Sequence, residues 1–331
     1  MSMTLSMTLL AFLAVALAVV FAGQRVAFYG DALAEKRGWG RAWVGLILVA
    51  ATTSLPELIT GTSAVLQGLV DIAVGDVLGS TLFNLLILSL LDAVGGRIPL
   101  LGRLHAGHAL AVGFALIFLA LQGAALWWGG PGLGPVSWYT PLALLLYLLA
   151  TRLTFLYERR RPVAEVERLE RLYGHLAEDQ VVRGYLLWGG MVVLAASLLP
   201  TLAERLAEET GLGASFVGTA LVGATTSLPE VVVTLAAARL GAFDLAVGDL
   251  LGSNLFNALI LAWDDLLYPG SFFAAAHESH LAAVLVAFAM YGVVLLGMNY
   301  QALRKLAVLS WDTLALLGLY LVGLFWLYAL R

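Results

Sequence analysis

The sequence contains no cysteine, and charged residues make up only 12% of its 331 positions. Without cysteine the chain forms no disulfide, iron–sulfur cluster or cysteine-based zinc site. Soluble domains carry about 25% charged residues, so this chain does not suit a soluble surface. The net charge of −4 provides no basic groove for nucleic acid. Neither of its two lysines, Lys36 and Lys305, lies in a G-x-x-x-x-G-K-[ST] loop, so no nucleotide-driven motor is indicated.

Hydrophobic residues are instead abundant, at 61% of the chain, and the mean hydropathy is +0.92. Because about 20 apolar residues cross the hydrocarbon core of a bilayer, the apolar runs predict ten membrane-spanning helices. The first run has no preceding positive charge and no evident cleavage site, so we interpret it as a retained span. The predicted spans are 4–30, 43–66, 72–94, 105–128, 137–156, 184–203, 213–238, 245–267, 281–298 and 309–330.

The basic residues are distributed unevenly between the two sides of these spans. Of the 18 Lys and Arg residues, only Arg205 and Arg331 lie outside the odd-numbered connections. Since basic loops remain in the cytoplasm, we expect both termini outside the cell (inner) membrane and the polar connector 157–183 inside. The connector, a solvated linker or a short amphipathic helix, separates two five-span halves, 1–156 and 184–331.

The chain repeats itself: residues 51–88 align without a gap with residues 224–261, and 23 of 38 positions are identical. Each copy begins A-T-T-S-L-P-E and continues with G-D-V-L-G-S-T-L-F-N or G-D-L-L-G-S-N-L-F-N. The copies occupy spans 2 and 3 (about 43–94) and spans 7 and 8 (about 213–267), so they face opposite ways. Inverted repeats are typical of secondary transporters, which bind their substrate near mid-membrane where the repeats meet.

Each copy places one glutamate, Glu57 or Glu230, inside an apolar run, where an unpaired ionised side chain costs at least ~2.5 kcal/mol. No Lys or Arg lies within either core segment, so a bound cation or a proton must neutralise the charge. The proline of S-L-P-E clashes with the carbonyl of Thr52 or Thr225, which predicts a kink and freed carbonyl groups. The alternative is a pair of protonated structural carboxyls, which the duplication disfavours.

Other polar residues follow the helical period around each glutamate. Thr53 and Ser54 share the face of Glu57, and the partner span of each copy carries a polar stripe at i, i+4 and i+8. Such oxygen ligands suit hard cations, and Ca²⁺ takes about 6 to 8 of them, whereas the absence of Cys and of mid-span His argues against soft transition metals. The two stripes are Asp76, Ser80 and Asn84, and Asp249, Ser253 and Asn257.

The paired S-L-P-E and G-x-x-x-G-S-x-x-x-N motifs resemble the alpha repeats of the Ca²⁺/cation antiporter superfamily, in particular its sodium/calcium exchanger branch. The resemblance covers about a quarter of the chain. It implies an all-α membrane protein with ten helices in two inverted halves, which exchanges Ca²⁺ for Na⁺ by alternating access while spans 1 and 6 slide against the rest. It implies no enzyme activity, no organic cofactor and no protein partner, and a functional monomer.

By position, the resemblance makes Glu57 and Glu230 the central ion ligands. Asp76 and Asp249 suit either direct ion contact or a hydrogen bond to Thr52 or Thr225. Asn84 and Asn257 suit ion contact or interhelical bonding. The full set of candidate metal ligands is Glu57, Glu230, Thr53, Thr226, Ser54, Ser227, Ser80, Ser253, Asn84, Asn257, Asp76 and Asp249.

Three features depart from the family's pattern. Thr52 and Thr225 replace its usual glycine, Asp76 and Asp249 replace its usual asparagine, and Asn257 replaces an aspartate that many sodium/calcium exchangers carry. H⁺ and K⁺ therefore stay open beside Na⁺ as the counter-ion.

Two other functional classes use the same acids. An intramembrane aspartyl protease would pair Asp76 with Asp249, but this leaves both glutamates unexplained. A passive cation channel would use the glutamates as a selectivity ring, although an inverted repeat suits alternating access better.

Outside the repeated core, Asp71 and Asp244 just precede their helices, which predicts that they are N-caps. Four histidines lie at the beginnings of spans 4 and 9, and we interpret them as structural: His105, His108, His277 and His280.

Overall fold

The computed structural model describes residues 5–130, 132–133, 136–160, 172–199, 201–202, 205–206 and 225–329. They form helices and one antiparallel hairpin, in which Gly132 pairs with Ser137. The elements are α1 (Leu5–Arg37), α2 (Arg41–Val44), a π-helical turn (Gly45–Val49), α3 (Ala50–Thr53), α4 (Leu55–Leu66), α5 (Val70–Val94), a 3₁₀ turn (Leu101–Arg103), α6 (Ala106–Trp128), β1 (Gly132–Leu133), β2 (Val136–Ser137), α7 (Tyr139–Arg159), α8 (Glu178–Ala196), α9 (Leu228–Arg239), α10 (Phe243–Leu267), α11 (Phe272–Ala275), α12 (His280–Tyr300) and α13 (Trp311–Ala329).

Six helices of the described part are long and apolar enough to cross a membrane: α1, α5, α6, α7, α10 and α12. They correspond to six of the ten predicted spans. The segment Arg41–Thr53 and α4 form a bent pair with an angle of 42°, which adds a seventh span if it is counted as one. Residues 213–224 of the predicted seventh span and 161–171 of the predicted connector lie outside the described residues.

Helix α10 forms the centre of the fold. Within its most apolar window 89% of the residues are buried, whereas the corresponding value for α1 is 17%. α10 packs against α5, α6, α7, α9 and both parts of the bent pair. On α1, Leu10, Leu17 and Phe21 are exposed, as expected for side chains that face lipid, which is as apolar as they are. The polar residues of α10 therefore lie deep inside the helix bundle.

The two aspartates predicted as N-caps have another role, and that prediction is wrong. The N-cap positions of α5 and α10 are Leu69 and Ala242, and neither makes a side-chain cap. Asp71 instead accepts a hydrogen bond of 2.7 Å from the His277 backbone N–H and lies 3.1 Å from His280 Nε2. Contacts with the loop before α12 and with the first residue of α12 satisfy the carboxylate, so it does not turn back to its own backbone.

A carboxylate near the end of α1 ties this helix to its neighbours. Asp31 is buried and accepts hydrogen bonds from the Arg41 guanidinium and, at 2.9 Å, from the Tyr173 hydroxyl. Burial and the adjacent Asp31 raise the pKa of Tyr173, so its hydroxyl keeps the proton that it donates. α1 runs to Arg37, beyond the end of the predicted span 4–30, and Asp31 anchors this additional part of the helix.

The repeat extends beyond the two copies found from the motifs. S-W-Y-T at 137–140 and S-W-D-T at 310–313 align at the same offset as the two copies. The backbone N–H of Ser137 donates to Asp265 Oδ2 at 2.8 Å, and that of Ser310 donates to Asp92 Oδ2, also at 2.8 Å. Asp92 and Asp265 are themselves related by this offset, so equivalent residues make equivalent contacts.

Candidate cation-binding site

The site begins at two helix breaks. Ser54 (φ −89°, ψ 3°) separates α3 from α4, and Ser227 (φ −84°, ψ 8°) precedes α9. In both cases a proline follows within the first two positions of the new helix, where its missing N–H is least costly. The kink predicted for the first S-L-P-E motif is confirmed by the 42° bend.

The two glutamates lie next to these breaks and are almost fully buried, with 1% of Glu57 and 0% of Glu230 exposed. Each receives a serine hydroxyl from the other repeat. Ser227 Oγ donates to Glu57 Oε1 at 3.4 Å, and Ser54 Oγ donates to Glu230 Oε1 at 3.4 Å. Ser253 also donates to Glu230, at 3.3 Å. Each glutamate therefore contacts the serine that precedes the other glutamate by three residues, so the two repeats meet at one acidic centre.

The aspartates of the two stripes make the same kind of reciprocal contact. Thr226 Oγ1 donates to Asp76 Oδ1 at 3.2 Å, and Thr53 Oγ1 donates to Asp249 Oδ1 at 3.1 Å. The hydroxyl that reaches Asp249 is thus that of Thr53, and not that of Thr52, which was one of the alternatives that the sequence left open. Thr52 points to the other side of its helix and donates to Leu48 O at 2.8 Å.

Ser80 and Ser253 lie within the same hydroxyl network. Ser227 Oγ donates to Ser80 Oγ at 3.0 Å, and Thr53 Oγ1 lies 3.3 Å from Ser253 Oγ. All four side chains are buried. Hydroxyl oxygens of both repeats therefore surround the glutamates, as the shared helix faces predicted.

The two stripe asparagines use their amide groups to bridge helices. Asn84 Nδ2 donates to Asn254 Oδ1 at 2.9 Å, and Asn257 Nδ2 approaches Val77 O at 3.5 Å. Asn254 in turn donates to the Tyr291 hydroxyl at 2.7 Å. Asn254 was missed in the sequence because its counterpart in the first copy is threonine, Thr81, so it is not part of the repeated pattern.

Several buried oxygens of this centre have no hydrogen-bond donor among the described residues. Buried polar atoms are nearly always bonded, so a group of such oxygens needs an explanation. A hard cation is bound by this kind of oxygen, and it would also offset carboxylates that form no salt bridge with a Lys or Arg of the described part. The oxygens are Glu57 Oε2, Asp76 Oδ2, Asn84 Oδ1, Glu230 Oε2 and Asn257 Oδ1.

A second cluster of metal-ligating residue types lies at the helix ends. His105 Nε2 and His108 Nε2 lie 3.4 and 3.1 Å from Asp244 Oδ1. His105 Nδ1, however, accepts the N–H of Gly107 at 3.0 Å and caps α6. The neutral ring of His105 then carries its proton on Nε2, and the hydrogen bond to Asp244 is the one from His108 Nε2. The cluster therefore fits a hydrogen-bonded contact between helices, consistent with the structural role expected for these histidines.

Comparison with known proteins places the chain among membrane transport proteins. The family model described as sodium/calcium exchanger protein matches residues 7–156 and 183–329. The inner membrane protein YrbG of Escherichia coli (strain K12) is 27% identical over 302 residues, which cover 88% of this chain and 90% of YrbG. The sodium/calcium exchanger MaX1 of Methanosarcina acetivorans is 26% identical over 327 residues, with 88% of this chain and 90% of MaX1 covered.

Among solved structures, the sodium-calcium exchanger NCX_Mj, soaked with Na⁺ and Sr²⁺, superposes on this chain with a TM-score of 0.74. The match covers 97% of this chain and 99% of NCX_Mj at 21% sequence identity. At this identity the match shows that the two chains share a fold.

Proposed function

Because this chain belongs to the sodium/calcium exchanger family, we propose that it exchanges Ca²⁺ for Na⁺ across the membrane by alternating access. The family consists of ion antiporters, so the chain is a multi-pass membrane transporter and not an enzyme. The resemblance drawn from its repeated motifs is thereby confirmed. The identity of the two ions and the way they are coupled form the proposal.

One observation carries the proposal: two carboxylates from opposite repeats meet in a buried centre where several oxygens have no donor among the described residues. Two glutamates match the charge of one divalent ion. Ca²⁺ accepts irregular oxygen shells of about 6 to 8 ligands, which the available carboxylate, amide and hydroxyl groups supply. Na⁺ competes for overlapping oxygens, so loading one ion displaces the other. The proposed ligands are the twelve residues predicted from the sequence, with Glu57 and Glu230 at the centre.

The proposed architecture is ten spans in two inverted halves, 1–156 and 184–331, with both termini outside the cell (inner) membrane and the connector 157–183 in the cytoplasm. Support comes from the reciprocal bonds, since equivalent threonines and serines of the two repeats donate to equivalent aspartates. An inverted pair provides one half-open state toward each side. α1 packs most extensively on α8, which fits a sliding unit made of spans 1 and 6. We further propose a functional monomer with no organic cofactor.

The test is ion flux through purified protein in liposomes. Vesicles loaded with Na⁺ and diluted into Na⁺-free buffer should take up ⁴⁵Ca, and a Na⁺ ionophore should abolish the uptake. If a pH gradient or a K⁺ gradient drives uptake equally well, the counter-ion in the proposal is H⁺ or K⁺ and not Na⁺. Uptake with no counter-ion would indicate a channel, and peptide cleavage would be required for the protease alternative. Absence of ⁴⁵Ca uptake under every gradient would refute the antiporter.

A further inference from the structure

One buried acid near the centre is not part of the twelve-residue set. Asp264 lies near the end of α10 and is 0% exposed. Neither of its carboxylate oxygens has a hydrogen-bond donor among the described residues. Its neighbour Asp265, by contrast, accepts bonds from Ser137 and Thr140. A buried carboxylate without donors is costly, so the position of Asp264 requires a function or a compensating ion.

Asp264 lies on the face of α10 that carries the polar stripe. It follows Asn257 and Ser253 at helical spacings of i+7 and i+11, which place it on the same face of α10. Its carboxylate packs against Gly61 of α4, where an added Cβ would lie 3.0 Å from Oδ2. Gly61 is one turn beyond Glu57 on the same helix face. Asp264 is therefore about one helical turn from the central glutamate.

A second carboxylate with an unbonded oxygen lies nearby. Asp76 lies on α5, which packs against both α10 and α4. Asp76 uses Oδ1 to accept the Thr226 hydroxyl, while its Oδ2 has no donor among the described residues. Three carboxylate oxygens, from two helices that both pack against α4, thus have no donor among the described residues.

The opposite repeat does not build this arrangement. The alignment of the two repeats pairs Asp264 with Leu91, and Gly61 with Thr234. Thr234 Oγ1 donates to Asp249 Oδ2 at 3.3 Å, so the aspartate of the second repeat has both oxygens bonded. The two repeats therefore differ at two positions. One repeat has threonine and leucine, and its aspartate, Asp249, is fully hydrogen-bonded. The other has Gly61 and Asp264, and its acids keep oxygens without a donor among the described residues.

We propose that Asp264 and Asp76 form an additional binding site for the transported cation, on the side where α4 ends and α5 begins. The proposal rests on the antiport function above. In the proposed orientation this is the outer side, because that turn is an even-numbered connection. A cation arriving from outside would bind between these carboxylates before it reaches Glu57, whereas a cation arriving from inside meets Leu91 and a satisfied Asp249. The two sides should therefore differ in apparent cation affinity.

The test uses Asp264→Asn and measures ⁴⁵Ca uptake in right-side-out and inside-out vesicles. We expect the half-saturating Ca²⁺ concentration to rise about tenfold when Ca²⁺ is added from the outer side. It should not change from the inner side. Glu278→Gln removes an exposed acid close to the start of α12 and serves as the control for surface charge; it should leave both values unchanged.

A second variant guards against a folding defect. Gly61→Thr combined with Asp264→Leu copies the residues of the opposite repeat, and it should make the two sides equal while exchange continues. Thermal unfolding in detergent checks that each protein is folded. The proposed site would be overturned if both variants kept the outer affinity of the wild type, or if the affinity changed equally on both sides. Neither result would affect the antiport function, provided that the wild type exchanges ions. Absence of exchange in the wild type would instead refute the function.

Discussion

Asp92 and Asp265, which occupy equivalent positions in the two repeats, each hold the start of a helix from the opposite half of the chain. Asp92 accepts the Thr313 hydroxyl at 2.9 Å, and Asp265 accepts the Thr140 hydroxyl at 2.6 Å. Each carboxylate also accepts the backbone N–H of the serine three positions before that threonine. The halves are therefore joined by a matched pair of contacts, one at the start of α7 and one at the start of α13.

These contacts should contribute to stability. Thr140→Val and Thr313→Val keep the side-chain shape but remove a donor to a buried carboxylate, and bonds to charged groups are worth about 1.5–3 kcal/mol. We expect a lower unfolding temperature for both variants, measured by tryptophan fluorescence in detergent. Thr151→Val is the matched control, because its hydroxyl bonds only within its own helix, to Leu148 O, at an exposed position. Equal stability of all three variants would contradict the proposed role.

The two contacts differ in one respect that gives an internal comparison. Lys305 Nζ lies 3.1 Å from Asp92 Oδ1, whereas the equivalent position in the first half is Gly132. Asp92 therefore keeps a buried cation when Thr313 is replaced. We expect Thr140→Val to destabilise the protein more than Thr313→Val does.

A further prediction concerns the central carboxylates. Glu57→Gln or Glu230→Gln should lower ⁴⁵Ca uptake more than about tenfold, since each removes a charge from a buried hard-cation site. Glu178→Gln provides the same chemical change at an exposed residue that pairs with Arg37, and its uptake should match the wild type. Wild-type flux in either buried variant would count decisively against the proposed site.

Much of this centre could be predicted from the sequence because the duplication marks it. A polar residue that recurs in register inside an apolar helix needs a shared physical role, and the helical period then shows which oxygens share a face. This reasoning identified Glu57, Glu230 and the stripe residues, and it predicted the kink at Ser54 that the bend between α3 and α4 confirms.

The features that the sequence did not predict depend on contacts between repeats. Asp71 resembles an N-cap locally, but its partners His277 and His280 belong to the other half of the chain. Asp264 breaks the repeat, so the signal that marked the other acids was absent. Its W-D-D context near a span end resembles an interfacial position, and only the packing against Gly61 places it inside the bundle.

The close approach of α10 to the π-helical turn gives another test. An added Cβ on Gly252 would lie 2.2 Å from Leu46 O and 2.5 Å from Leu46 Cα, and neither backbone atom can move independently. Gly252→Ala should therefore cost about 1–3 kcal/mol of stability and lower uptake, because it displaces the helix that carries Asp249 and Ser253. Gly292→Ala adds the same methyl group on α12, where no atom lies within 4 Å. A normal unfolding temperature for Gly252→Ala would show that the helices can separate at no cost.

The last prediction separates ion binding from helix contact at Thr53. Its hydroxyl donates to Asp249 at 3.1 Å and lies 3.3 Å from Ser253 Oγ. Thr53→Val keeps the side-chain volume but removes the donor to one oxygen of the buried Asp249 carboxylate. Leaving a buried acceptor without a donor lowers the free energy of unfolding by about 1–3 kcal/mol. We expect weaker Ca²⁺ binding by calorimetry together with a lower unfolding temperature when no Ca²⁺ is present. Thr53→Ser restores the hydroxyl without the methyl group, so it should recover Ca²⁺ affinity even if packing is looser. Failure of Thr53→Ser to restore affinity would mean that the methyl group, and not the oxygen, is what the site requires.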